Sequence, residues 1–217
     1  CIAHLSGDLN LIAAFEAGDD IHRFVASRTW GVPPGEVTTE LRNRAKMVAY
    51  GLAYGMEAYG LAQRLDVPTD EASGILEAYF EAFPKVRDYM DQSVQEARRK
   101  GYTETLFGRR RPMPELASSN FNVRQAGERQ AMNAPIQGLA ADIFKVALVG
   151  IDRGLCTEGL DSQLVLQVHD EVLLEVEPTE LDQVTELVQV TMGGAFDLRV
   201  ELTVDLATGD TWADAKG

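Results

Sequence analysis

At 217 residues, with 45% hydrophobic and 25% charged side chains, the chain is long enough for one sizeable core or two small ones and reads as soluble and globular. Cys1 and Cys156 stand apart, which excludes a disulfide framework or a cysteine metal motif; no apolar run approaches the roughly 18 residues of a membrane span, and no signal-peptide pattern opens the chain. A net charge of −14 argues against nucleic acid only as a single number, because residues 161 to 217 hold 13 acids and 2 bases and so leave residues 1 to 160 at −3 with 18 bases.

Those bases cluster at Arg42, Arg44 and Lys46, at Arg98, Arg99 and Lys100, and at Arg109 to Arg111, which keeps a phosphate partner open. The acidic tail then faces solvent or metal. Two cysteines without partners fit a reducing cytoplasm. A chain that starts on Cys rather than Met reads as a piece of a larger polypeptide.

In chain order, Leu9 to Ala26 reads as helical with loops around Gly18 and Gly31, and Pro33-Pro34-Gly35 breaks the chain. Thr39 is the expected N-cap of a helix with Glu40 in its first turn, ending at Gly55. A short helix is predicted over Glu57 to Leu65. A longer pattern starts at Pro68-Thr69-Asp70, carries Ile75, Leu76, Tyr79, Phe80 and Phe83 to Pro84, and resumes toward Lys100. Tyr102 to Pro114 reads as a short β-hairpin turning at Phe107-Gly108, with three arginines on its return arm. Ser118-Ser119-Asn120 caps a long helix from Phe121 to about Gly150. A bend is expected at Pro135, where a proline costs about 3 kcal/mol in a regular helix. Leu164 to Val168 and Val172 to Val176 are predicted as two buried antiparallel strands around a tight His169-Asp170-Glu171 turn, Leu181 to Met192 as a helix, and Arg199 to Leu206 as a strand by its alternation.

The most informative feature is a ladder: Arg42, Lys46, Tyr50 and Tyr54 recur every four residues and share one slowly drifting helix face. Two permanent cations followed by two rings make a strip roughly 18 Å long, at about 1.5 Å of rise per residue. A triphosphate could lie on the cations and a base on the rings. An ordinary surface helix would also carry solvated cations and core-packed tyrosines. Gly51 and Gly55 tilt the balance, since each costs about 1 kcal/mol inside a helix relative to Ala and is therefore not there for helix stability.

Three further groups carry chemistry. Asp170 sits where a rigid hairpin would hold a hard-cation ligand, although Asp and Glu also favour turns for local reasons. Arg129, Asn133 and Gln137 step by four on one helix face, offering donors that fit minor-groove acceptors as well as they fit solvent. Arg109 to Arg111 suit nucleic-acid phosphates or a solvated turn.

The run Arg-x-x-x-Lys-x-x-x-Tyr-Gly-x-x-Tyr-Gly, from Arg42 to Gly55, resembles the fingers-helix motif of family A DNA polymerases, the bacterial DNA polymerase I group. The resemblance extends along the chain through Ala3-His4-Leu5-Ser6-Gly7-Asp8, Asp20-Ile21-His22, Thr105-Leu106-Phe107-Gly108-Arg109-Arg110-Arg111-Pro112, Asn133-Ala134-Pro135-Ile136-Gln137-Gly138, Gln167-Val168-His169-Asp170-Glu171 and Gly209-Asp210-x-Trp212, in the family's order. It implies an α+β fold: a palm remnant over 1–8, a mostly helical fingers subdomain over 9–120, and a C-terminal part of an antiparallel-sheet palm over 121–217.

The resemblance further implies a DNA-directed DNA polymerase acting in replication and repair. It would add dNTPs to a primer on template DNA by phosphoryl transfer with two Mg²⁺ ions, as a cytoplasmic, nucleoid-associated monomer with no membrane partner. Arg42 and Lys46 would hold the β and γ phosphates with His22 as a further donor, Tyr50 would stack at the sugar and base, and Tyr54 would occupy the template-base position. Asp170 would bind metal, Glu171 would act as an auxiliary acid near the primer end, and Lys46 joins these two as catalytic. Arg129, Asn133, Gln137 and His169 would touch DNA. The family's other metal-binding aspartate and its ribonucleotide-excluding glutamate lie upstream of Cys1 in the motif, and Asp8 does not match that position, so an isolated chain is expected to be nearly inactive. Single-subunit RNA polymerases also place Lys eight residues before Tyr-Gly, as Lys46 and Tyr54 stand here, and a non-catalytic nucleotide or nucleic-acid binding module would keep the same face.

Overall fold

The computed structural model describes residues 1–18, 20–53 and 55–216. The chain is α+β, dominated by helix, and divides into two compact units, Cys1–Leu139 and Ala140–Gly217.

The first unit opens with α1 (Ile2–Ser6), α2 (Leu9–Glu16) and α3 (Ile21–Trp30), followed by α4 (Thr39–Ala53), α5 (Ala58–Leu65), α6 (Thr69–Ala82) and α7 (Pro84–Lys100). Side chains that accept backbone N–H groups set the starts of α2, α3 and α4. Asp8 accepts from Asn10 and Leu11 at the head of α2, and Asp20 from His22 and Arg23 at the head of α3. The ladder helix is capped one residue earlier than its sequence implies, because the Thr38 hydroxyl, not Thr39, accepts the Leu41 N–H at 3.2 Å. Pro84 restarts the chain as the first residue of α7, since a ring nitrogen has no hydrogen to lose at that position. Asp8 is 1% exposed and uses its second oxygen to accept the Lys85 N–H at 3.1 Å, so one buried carboxylate ties the starts of α2 and α7 together.

α3 packs against α4 and α6, and α5 against α6. Their shared core holds Val25, Ala45, Val48, Leu61, Ile75 and Phe83, with the Tyr79 and Phe83 rings 4.9 Å apart. β1 (Tyr102–Glu104) and β2 (Arg110–Pro112) form the expected hairpin, in antiparallel register with Thr103 opposite Arg111. A second cluster of Val94, Ala97, Met113, Leu116 and Ala131 seats α7 and this hairpin's exit on α8 (Phe121–Glu158). Asn120 caps α8 through the N–H groups of Asn122 and Val123, and the helix continues through Pro135 for 38 residues, several beyond the Gly150 end suggested by the sequence.

The second unit contains the rest of α8, β3 (Gln163–Val168), β4 (Glu171–Glu175), α9 (Leu181–Gly193) and the short α10 (Trp212–Lys216). Its core joins Ile151 and Leu155 of α8 to Val184 and Val188 of α9, with Leu164, Val172 and Leu174 from the strands. Three expectations fail here. β3 and β4 are not buried strands, because Val165 and Leu166 remain 48% and 45% exposed and only one face meets the helices. Arg199 to Leu206 is irregular: a strand needs a partner ladder, none of the described residues supplies one, and of its alternating apolar residues only Val200 is buried. α8 also contains an 18-residue stretch of mean hydropathy 1.5, against the expectation that no apolar run approaches spanning length; Ile143, Ala147, Ile151 and Leu155 in this helix are buried, as in the core helix of a globular protein.

Candidate functional site

Ala45, Val48 and Leu52 turn one face of α4 into the core, at most 5% exposed, and thereby present Arg42, Lys46 and Tyr50 on the opposite side. The ladder is therefore real over its first three members. Tyr54, its fourth, lies outside the described residues. Lys46 Nζ stands 5.7 Å from the centroid of the Tyr50 ring, and Tyr50 is 52% exposed despite its size.

α3 contributes His22 to the same face. Its imidazole meets the Tyr50 ring edge-on, with centroids 5.9 Å apart at 65°, and its Nδ1 is buried without a hydrogen-bond partner. Burial lowers the His22 pKa below the ordinary imidazole value. The Arg42 charge adds to this, the Asp20 carboxylate opposes it, and Lys46 lowers it further. A buried ring nitrogen with no partner beside two cations is a place where an anionic ligand would restore both hydrogen bonding and charge balance.

Asp20, which sequence reasoning quoted only within a motif and gave no role, accepts a hydrogen bond from Arg42 Nε. Burial raises its carboxyl pKa, but the hydrogen bond and charge of Arg42 and the N–H groups of Arg23 and His22 outweigh this and hold it below the usual carboxylate range. The readable signal for Asp20 was its place as a helix N-cap just ahead of His22.

Arg129, Asn133 and Gln137 do share a face of α8, but in three different environments. Gln137 is exposed and lines a cavity of about 240 Å³ with Thr103, Thr105 and the arginines Arg109, Arg110 and Arg111 of the hairpin. Asn133 is 6% exposed with a buried Oδ1 that has no partner. Arg129 donates from Nη1 to Glu57 Oε1 at 3.3 Å, beside Gln125, whose Nε2 donates to the other oxygen at 3.5 Å. Glu57, at the head of α5, was also missed; nothing in its local sequence marks an ion pair 72 positions away. The hairpin arginines are partly committed as well, with Arg110 donating to Glu104 at 2.9 Å and Arg111 to Gln130 at 2.8 Å.

Gly55 joins the ladder to this second face. It has φ +68°, and a Cβ there would lie 2.5 Å from Asn133 Nδ2 and 3.1 Å from the Arg129 carbonyl oxygen. Only glycine fits so close an approach at that backbone conformation. The second glycine of the Tyr-Gly repeat is thus explained by the helix packed against it.

In the second unit, β3 and β4 are joined by the two residues His169 and Asp170, with Val168 opposite Glu171. His169 takes a left-handed φ of 54°, stabilised by Gln167 Nε2 donating to its carbonyl at 2.7 Å. Asp170 is exposed at the tip and Glu171 begins β4. Both offer hard oxygen ligands that suit Mg²⁺, but no group of three or more metal-ligating side chains gathers among the described residues. The donors present therefore fit an ion that takes one or two protein carboxylates and completes its shell from water and phosphate.

The sequence matches the model of DNA polymerase family A over residues 1–214. It is 54% identical over 211 residues to DNA polymerase I of Mycobacterium bovis, which covers 97% of this chain and 23% of that protein. It is 46% identical over 216 residues to DNA polymerase I of Streptococcus pneumoniae, which covers 99% of this chain and 25% of that protein. Among solved structures it is similar to the POL domain of Pol1 from M. smegmatis in complex with DNA primer-template and dNTP, with a TM-score of 0.95 and 52% identity, covering 100% of this chain and 38% of that one. The chain belongs to DNA polymerase family A. It spans about a quarter of the length of these curated relatives.

Proposed function

We propose that the chain supplies the nucleotide-gripping face, the base-pair-sensing helix and one metal-binding carboxylate of a DNA-directed DNA polymerase. The observation that carries this is the convergence of Arg42, Lys46, His22 and Tyr50 on one exposed surface, with the cations at one end and the ring at the other. The similarity to a polymerase domain bound to primer-template and dNTP supports the same reading.

Phosphoryl transfer asks the protein for positioning and charge neutralisation rather than covalent chemistry. Arg42 would engage the polyphosphate with its planar fork and Lys46 with a compact ammonium. His22 would donate from an imidazole that gains its proton as the anion arrives. Tyr50 would stack on the sugar and base, and Lys46 above its ring would keep the triphosphate end and the aromatic end of the ligand in register. Arg129, Asn133 and Gln137 would meet minor-groove acceptors, which differ little among correct pairs and so report pairing geometry rather than sequence. Asp170 would hold Mg²⁺ with Glu171 beside it; when bound, the ion would neutralise charge on the transferring phosphate. His169 would approach the primer end.

Primer extension by the full-length gene product, with dNTPs set against NTPs, tests the reading. Extension with dNTPs that falls by at least about 100-fold in kcat/KM for Arg42→Ala and Lys46→Ala is expected. Preference for NTPs would point to an RNA polymerase, and template-dependent binding with no extension would point to a non-catalytic module.

A further inference from the structure

We propose that Asp20 is a positioning residue for the incoming nucleotide, holding Arg42 by Nε so that the two terminal amino groups of its guanidinium are left to the polyphosphate. The proposal rests on the preceding reading of Arg42 as a phosphate ligand. Asp20 is itself fixed: one oxygen accepts the N–H groups of His22 at 3.1 Å and Arg23 at 3.2 Å, and the other accepts from Arg42, 22 positions away on α4. The same carboxylate thus sets the start of the helix that carries His22 and the direction of the cation beside it.

Capping α3 needs only the first oxygen, and Asn or Ser would cap as well. The second oxygen's contact is not explained by helix stability. Arg42 has no other hydrogen-bond partner among the described residues, so Nη1 and Nη2 remain available while Nε is occupied. Arg23 adds to the rigidity by donating to the Val37 carbonyl at 2.7 Å, which fixes the loop that leads into α4. A guanidinium held sideways by an anchored carboxylate reaches a phosphate without first losing the rotational freedom of a loose side chain. The carboxyl stays ionised at neutral pH for the reasons given above.

Asp20→Asn and Asp20→Ser keep an acceptor for the cap and remove the charged grip on Arg42. In the full-length gene product each is expected to raise KM for dNTPs about 3- to 10-fold while kcat stays within about twofold, and to add nothing further in an Arg42→Ala background. Titration of the 217-residue chain with inorganic tripolyphosphate, before and after each substitution, reads the same loss without turnover. If Arg42→Ala and Lys46→Ala leave KM and tripolyphosphate affinity unchanged, the nucleotide-site reading itself fails. If those two weaken binding but neither Asp20 variant does, or if Asp20→Asn costs the same factor with and without Arg42, the positioning role is overturned and Asp20 is only a cap.

Discussion

The open face of Tyr50 is the residue-scale feature with the sharpest chemical consequence. If Tyr50 stacks at the sugar and base as proposed, its phenolic oxygen can partly stand in for the 3′-hydroxyl that a chain terminator lacks. Tyr50→Phe in the full-length gene product should therefore lower dideoxynucleotide incorporation relative to dNTPs, read as the ratio of terminated to extended primer; an unchanged ratio would end the idea. His22 offers a second measurement. Its lowered pKa means that the unfolded chain takes up the proton first, so the stability it contributes is present above the free imidazole value of about 6.5 and is lost as pH falls toward and through the folded value. NMR titration should find His22 below the ordinary value in the ligand-free chain and shifted upward when tripolyphosphate is added. Asp8 gives a stability measurement. Replacing this buried carboxylate with Ala strands the N–H groups of Asn10, Leu11 and Lys85, and a loss of about 3 kcal/mol is expected from urea unfolding.

Among elements, α4 was the most legible because its local pattern and its burial agree: residues 45, 48 and 52 face inward, and cations and ring face outward. The starts of α4, α6 and α8 could be read within a residue or two from Thr39, from Pro68-Thr69-Asp70 and from Ser118-Ser119-Asn120, since caps act over three positions of sequence. What could not be read was non-local. Asp20 with Arg42 and Glu57 with Arg129 are pairs between charges of ordinary appearance, separated by 22 and 72 positions, and charge alone does not say which partners meet. The strand over Arg199 to Leu206 was expected from alternation, but alternation marks a half-buried strand only where a neighbouring ladder exists. Gly55 shows the reverse case, in which the sequence marked the residue and only the packed helix supplied the cause. Gly55→Ala forces a side chain into a left-handed backbone against Asn133 and the Arg129 carbonyl. A loss of about 2 kcal/mol, measured by thermal or urea unfolding, is expected.

For the whole molecule, the charge distribution matters more than the sum. Residues 161 to 217 carry most of the net charge of −14, so the face on α3 and α4 proposed to hold the nucleotide lies in the less acidic part of the chain. One element is thinly covered among the described residues: β3 and β4 pair as a two-stranded sheet, with Val165 and Leu166 turned to solvent. The register shift between Leu164 and Leu166 blunts that edge without closing it. Handled by itself at high concentration, the polypeptide therefore has a sticky seam, and cloudiness in storage should begin there. A lysine in place of Val165 would extend the shelf life of such stocks, visible as slower growth of light scattering over days.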